Sequence, residues 1–208
     1  MTPSPFDEHH LAYDAWFDRF PFVHAAELRA IRALLPGSGV GLEVGVGSGR
    51  FAAPLQVGIG IDPSLAMLAL AQGRGVAVMG GRAEALPIKS GALDFLLLVT
   101  VLCFLEEPLV ALREARRVVK SGGRMVLAFI DRQSPLGQEN AARQQESLFY
   151  RDARFYRVDE VLALCREAGF LDELTVQQTL FAPLNEIGPN EPLQTGWGQG
   201  GFVVLAAS

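Results

Sequence analysis

Hydrophobic positions change their spacing along this chain in an order that reads as a fold. Phe6, His10, Tyr13, Phe17 and Phe20 recur at steps of four and three, which predicts one face of an N-terminal helix, and Leu28, Ile31 and Leu35 predict a second that ends at Pro36-Gly37. Val40 to Val46 is a short apolar run closed by Gly45-Val46-Gly47-Ser48-Gly49, with a short helix expected from Arg50. Val57 to Ile61 is a second buried strand stopping at Asp62, Ser64 to Gln72 a helix with Pro63 near its first turn, and Val76 to Met79 a third strand. Leu93 to Val99 is the most continuously apolar run, as expected of a central parallel strand covered on both faces, and Arg124 to Ile130 is its expected neighbour. Between them Leu109, Leu112, Ala115 and Val119 form a helical stripe that begins after Pro108 and stops at Ser121-Gly122-Gly123.

Strand and helix therefore alternate from Val40 to Ile130, which predicts an α/β, Rossmann-like, doubly wound and mostly parallel sheet. After Asp131 the pattern lapses: residues 132–157 are polar and predict a lid or substrate insertion. Asp159 is expected to cap a helix burying Val161, Cys165 and Ala168, and Leu174 to Phe181 and Gly201 to Ala206 read as closing strands. The expected organisation is one domain over 1–208, with a helical cap (1–36), a core (37–131), the insertion (132–157) and a C-terminal helix with closing strands (158–208).

Composition narrows the chemistry. With half of its 208 residues hydrophobic, the chain can bury one substantial core. A net charge of -5 leaves no global basic field for a phosphate backbone, so nucleic acid is not the expected partner. Cys103 and Cys165 have neither zinc-ligand spacing nor a disulfide framework, and no metal site is expected. Met1 to His10 lacks the apolar core of a signal peptide, and no run reaches the roughly 18 apolar residues of a membrane span. A cytoplasmic protein is expected.

The glycine-rich turn is the strongest chemical signal. Its three glycines let the backbone turn sharply and let a ligand approach, while the following helix offers free N–H groups to an anionic or carboxylate-bearing ligand. A dinucleotide fingerprint needs its third glycine one position later, where Arg50 stands. Asp62, ending the second strand, is placed to accept hydrogen bonds from ribose hydroxyls; alternatively it caps the next helix.

The motifs, taken in order, resemble the class I S-adenosylmethionine-dependent methyltransferases, in particular the methyltransferase type 11-like small-molecule subgroup. Leu42-Glu43-Val44-Gly45-Val46-Gly47-Ser48-Gly49 resembles the first motif, Gly60-Ile61-Asp62-Pro63-Ser64 the second and Arg82-Ala83-Glu84-Ala85-Leu86-Pro87 the third. Leu93-Asp94-Phe95 into Thr100-Val101-Leu102, then Arg113 to Gly123, resemble the fourth strand and the helix before the fifth.

The resemblance implies a seven-stranded class I fold, with S-adenosylmethionine as cofactor and a small-molecule methyl acceptor as partner. It implies that Glu43, Gly45, Gly47, Ser48 and Gly49 hold the methionyl end, Asp62 the ribose, and Pro63, Met67, Ala83 and Glu84 the adenine. Val99 and Thr100 would line the floor beside the sulfonium, with Tyr13 and Trp16 covering the methionyl end.

Arg82 stands where many relatives have an acidic residue, and Cys103 and Phe104 replace histidines that often follow strand four. No catalytic residue is assigned. His10 and Asp131 are the candidate bases, and Phe6, Trp16, Phe149, Tyr150 and Phe155 a candidate aromatic roof. Three alternatives stay open: a cofactor-binding module without catalysis, an aminopropyl-transferring enzyme of the same fold, and a NAD-dependent dehydrogenase.

Overall fold

A computed structural model describes residues 4–171 and 174–208. The part of the Met1 to His10 reading that rests on residues 1–3 lies outside the described residues. Strands β1 (Gly41–Val44), β2 (Ile59–Asp62), β3 (Ala77–Gly80), β4 (Leu93–Val99) and β5 (Val119–Ile130) lie parallel in the order β3-β2-β1-β4-β5. Strand β4 is buried along nearly its whole length, as its unbroken apolar run predicts. The chain order reverses at β1, whose neighbours are β2 and β4, so the crevice at the carboxyl ends of these three strands is where a doubly wound sheet holds a ligand.

The closing strands β6 (Leu174–Thr179) and β8 (Phe202–Ala207) complete the sheet, with β8 antiparallel to both β5 and β6. An eighth strand corrects the expected seven. β7 (Gln194–Thr195) is a two-residue, exposed edge pairing with Gln177 and Gln178, too short and too polar to leave a periodic signal.

Two apolar layers cover the sheet. Helices α6 (Pro108–Val118) and α8 (Val158–Glu167) bury Leu112, Ala115, Val118, Val161 and Cys165 against Leu96, Leu98, Met125 and Leu127 on one face. On the other, α3 (Pro21–Arg32), α4 (Ala52–Leu55) and α5 (Leu65–Gly73) bury Val23, Ala30, Ile31, Ala52 and Leu68 against Leu97, Val99, Val126 and Phe202. Fully burying a Leu or Ile in such a layer contributes about 1.5–3 kcal/mol. No helix among the described residues is long and apolar enough to cross a membrane.

Several local expectations are corrected. The first apolar stripe belongs to two helices, α1 (Pro5–Glu8) and α2 (His10–Arg19): a capping box between Ser4 and Asp7 closes a single turn that ends at His9. Pro21, at the first position of α3, then starts a new helix with its fixed φ. Asp159 lies inside the first turn of α8 and is not its cap; Arg157 is, and its N–H donates to Glu160 at 2.7 Å. Helix α6 stops at Val118 and passes straight into β5, so Gly122, at φ +75°, turns the chain within an irregular strand start and does not end the helix. Residues 132–157 contain α7 (Pro135–Ala142), capped by the Ser134 hydroxyl accepting from the Gly137 N–H at 3.0 Å, and a 3-10 turn over Gln144–Glu146.

Candidate active site

The carboxyl ends of β1, β2 and β4 open into a cavity of about 340 Å³, within the about 300–1,000 Å³ typical of small-molecule sites. The glycine-rich turn forms one side. Gly45, Gly47 and Gly49 have φ of +68°, +50° and +80°, and a Cβ on Gly45 would come within 2.2 Å of the Val101 side chain. A Cβ on Gly47 would meet only the Tyr13 ring, at an ordinary 3.9 Å, and Gly47 lines the cavity, so its backbone is open to a ligand there.

Asp62 anchors the turn. Its two carboxylate oxygens accept the N–H of Gly47 at 2.9 Å and of Ser64 at 2.8 Å, so strand β2, the turn and the start of α5 are tied together through one side chain. Burial raises its pKa while those two N–H groups oppose the rise. Each oxygen keeps lone-pair capacity for a hydroxyl.

Behind the turn sits an ionic network. Asp14 of α2 accepts Arg50 Nε and Nη2, both at 2.9 Å, and Arg74 Nη2 at 2.8 Å. Arg74 Nη1 also donates to the Ser48 carbonyl at 2.7 Å. The two guanidinium groups hold the Asp14 carboxyl well below the usual carboxylate range. The same helix that carries Tyr13 is thus clamped to the glycine-rich turn by charge-assisted bonds.

Of the residues named from the sequence, Tyr13, Gly45, Gly47, Asp62, Pro63, Met67, Ala83, Glu84, Val99 and Thr100 line this cavity. Four do not. Trp16 packs on Phe17 and Phe20, with ring centroids 5.2 Å away in both cases. Ser48 and Gly49 lie on the far side of the turn, where a Gly49 Cβ would meet the Ala71 backbone at 3.0 Å. Glu43 is 1% exposed and off the wall; one of its oxygens, Oε2, has no partner, and burial with Asp62 nearby raises its pKa well above normal.

At the adenine end expected from the sequence, Arg82 sits in a fork between Glu84 at 3.6 Å and Glu106 at 3.3 Å, and the buried Glu84 Oε1 is unpartnered. At the other end Thr100 holds φ +52°, a costly conformation for a β-branched residue, fixed by its N–H donating to the Ala128 carbonyl at 2.8 Å. A much smaller cavity beside it is lined by Cys103, Tyr150, Phe155 and Tyr156. Cys103 donates its thiol to the Thr100 carbonyl at 3.2 Å, and burial pushes that thiol up to about 12, which favours the protonated form.

The aromatic roof is real but differently composed. Phe6 meets Tyr13 at 5.4 Å, Phe104 at 5.1 Å and Phe149 at 5.4 Å, and Phe104 stacks on Tyr150 at 5.5 Å. Phe104, noted in the sequence only as a missing histidine, completes the ring set. Ser4 and Pro5 are wall residues that the sequence reading missed, although Ser4-Pro5-Phe6-Asp7 carries a capping-box signature that could have placed them.

Neither candidate base lines the main cavity. His10 Nδ1 lies 2.9 Å from the Asp7 carbonyl. Asp131 is buried at the end of β5, accepting from the Gln133 N–H at 3.1 Å, while Arg132 reaches Glu160 instead.

A family model described as a methyltransferase domain matches residues 42–127, the span from β1 through β5. The crystal structure of a SAM-dependent methyltransferase, possible histamine N-methyltransferase, from Thermotoga maritima is 43% identical, with TM-score 0.95 over 98% of this chain and 97% of that one. The chain therefore belongs to the S-adenosylmethionine-dependent methyltransferases and is an enzyme of that class. An uncharacterized protein of Methanocaldococcus jannaschii is 40% identical over 202 residues, 97% of either chain. The methyltransferase bound to the Haloferax volcanii Trm112 activator shares the fold, with TM-score 0.75 at 18% identity over 100% of this chain and 98% of that one.

Proposed function

We propose that this chain methylates a small-molecule acceptor held beneath the Phe6, Phe104 and Phe149 rings, using S-adenosylmethionine bound along the Gly45-to-Glu84 wall. The observation that carries the reading is Asp62: a buried carboxylate fixed by two backbone N–H groups, with free acceptor capacity, beside a turn whose central glycine faces the cavity. The unpartnered Glu84 Oε1 fits the amino edge of an adenine, and Gly47 fits close approach of a carboxylate-bearing chain. Bound there, the cofactor supplies a methyl group on a cationic sulfur that departs without general-acid help.

The residues of this chain then have a positioning task. Val99, Thr100 and Tyr13 bound the region where donor and acceptor meet, and the aromatic roof excludes water and offers π faces to positive charge. Alignment and proximity carry most of the rate of such an in-line displacement. The name of the Thermotoga maritima relative makes small amines the first acceptors to screen.

The test is calorimetric titration with S-adenosylmethionine and S-adenosylhomocysteine, with Asp62→Ala alongside. Micromolar binding by the wild type and a loss of about 100-fold in the variant are expected, from two hydrogen bonds to a charged group at about 1.5–3 kcal/mol each, partly replaced by water. A folded wild type that binds neither compound sinks the proposal.

A further inference from the structure

The glycine-rich turn is held from two sides. From the cavity, Asp62 accepts the Gly47 N–H; from the outer side, Arg74 Nη1 donates to the carbonyl of the next residue, Ser48, at 2.7 Å. Asp62 also accepts the Ser64 N–H at the start of α5, and Arg74 follows the last residue of that helix, so both ends of α5 are tied to consecutive residues of the turn. Ser48 stands between Gly47 and Gly49, both left-handed, where the backbone has most freedom to lose. A hold on its carbonyl is therefore a hold on the shape of the turn.

Arg74 is in turn held by the cap. Its Nη2 donates to Asp14 at 2.8 Å, and the same carboxylate takes Nε and Nη2 of Arg50, the residue that follows the turn. One carboxylate on α2 thus grips the turn through two guanidinium groups. Ion pairs on open surface contribute little, but the Asp14, Arg50 and Arg74 side chains are only 15%, 18% and 27% exposed, and forked bonds fix geometry. Asp18 is the contrast. It pairs with Arg50 by two bonds of 2.8 Å, yet its side chain is 69% exposed and among the described residues it makes no bond to Arg74.

Asp14 is next in sequence to Tyr13, which lines the cavity beside Thr100, whereas Asp14 does not line it. Successive residues of a helix point about 100° apart, so fixing one on the outer side fixes the direction of the other. The ionic network therefore has two outputs: the Ser48 carbonyl and the placement of the Tyr13 ring.

We propose that Asp14 is a positioning residue that makes the seating of the cofactor's methionyl end and the docking of helix α2 a single event. It acts through Arg74 on the turn and through its own helix on Tyr13. That role rests on the methyl-transfer reading above, with the methionyl end at Gly47. A cofactor that orders the turn then orders the cap, and a docked cap has already ordered the turn for the cofactor.

The experiment is calorimetric titration of S-adenosylhomocysteine into the wild type, Asp14→Asn, Arg74→Met and the double variant. Thermal unfolding checks that each is folded, and hydrogen exchange of α2 is followed with and without the compound. Each single substitution is expected to weaken binding about tenfold, the size of effect that a link in a coupling network produces. The double variant is expected to lose about tenfold as well and not about a hundredfold, because the two side chains act in one chain of contacts. In the wild type the compound is expected to slow exchange across His10–Arg19; in Arg74→Met it slows exchange only at the turn. A residue serving stability alone would lower the thermal transition and leave both readouts unmoved. Asp18→Asn, on the same face of α2 but outside the Arg74 link, is expected to stay within about twofold of the wild type.

Single variants that bind within about twofold of the wild type overturn the proposal. So do losses that multiply in the double variant, or a loss in Asp18→Asn equal to that in Asp14→Asn. If Asp14→Asn does not fold, Arg74→Met decides alone, by its affinity and by exchange in α2. A folded wild type that does not bind S-adenosylhomocysteine is a different result, which removes the methyl-transfer reading and this one together.

Discussion

The two halves of the cavity are built by different means. The half reaching from Gly45 to Glu84 is backbone chemistry: left-handed glycines, one carboxylate bound by two N–H groups, and strand ends fixed by the sheet. The opposite half is side-chain chemistry from segments far apart in sequence: Phe6 and Tyr13 from the cap, Phe104 after β4, and Phe149 after α7. A half made of backbone tolerates few sequences, whereas a half made of rings on helices and connections can be reshaped without touching the sheet. One enzyme class can therefore keep a cofactor and vary its acceptors.

The sharpest way to break that comparison is at the backbone half. Gly45→Ala places a Cβ 2.2 Å from the Val101 side chain at φ +68°, so the strain of a left-handed non-glycine residue adds to a clash. A loss of about 2–3 kcal/mol in stability is expected, with cofactor affinity falling at least about tenfold. Thermal unfolding and calorimetry measure the two effects. A variant as stable and as tight as the wild type would show that the turn does not depend on its glycine.

The same contrast explains what was legible in the sequence. Local rules found the parallel core, because a buried strand such as Leu93–Val99 and a turn such as Gly45 to Gly49 carry their constraints within a few residues. They found Asp62 through the end of β2, whereas Thr100 came only from the family resemblance. They missed the break at His9, because the apolar spacing from Phe6 to Phe20 runs on while the backbone stops. The family resemblance named Trp16 and passed over Ser4 and Pro5, because which side of a cap helix faces a cavity depends on how the helix docks. Glu27 escaped for the opposite reason: an acid in an apolar stripe looks like a surface residue until burial is known.

Glu27, buried on α3 outside either half, also makes a pH prediction for the fold. Unfolded, Glu27 loses its proton near 4.5; folded, it keeps it up to about 8. Between those values the unfolded chain binds fewer protons than the folded one, so stability falls as pH rises from about 5 to 8. Glu43 and Asp62, whose pKa values are also raised, add slope of the same sign. The difference between wild type and Glu27→Leu isolates the Glu27 share, expected to be about 1–2 kcal/mol across that range after water penetration and relaxation are allowed for. Denaturant unfolding at pH 5 and pH 8 measures it, and parallel curves for the two proteins would mean that Glu27 finds compensation in the folded state.

The smallest effect is expected at Trp16, the residue on which the two halves disagree with the sequence reading. Its ring packs edge-on against Phe17 and beside Phe20, and no part of it lines the cavity that Tyr13 borders one helical turn away. Trp16→Phe keeps an aromatic surface there, so about 1 kcal/mol of stability is the expected loss, with cofactor affinity changed less than about twofold. Tyr13→Phe, which removes only a hydroxyl from the wall, is the matched comparison by the same titration. If Trp16→Phe weakened the cofactor more than Tyr13→Phe did, the cap would have to rotate on binding to bring Trp16 over the methionyl end, and the boundary between the two halves would move with it.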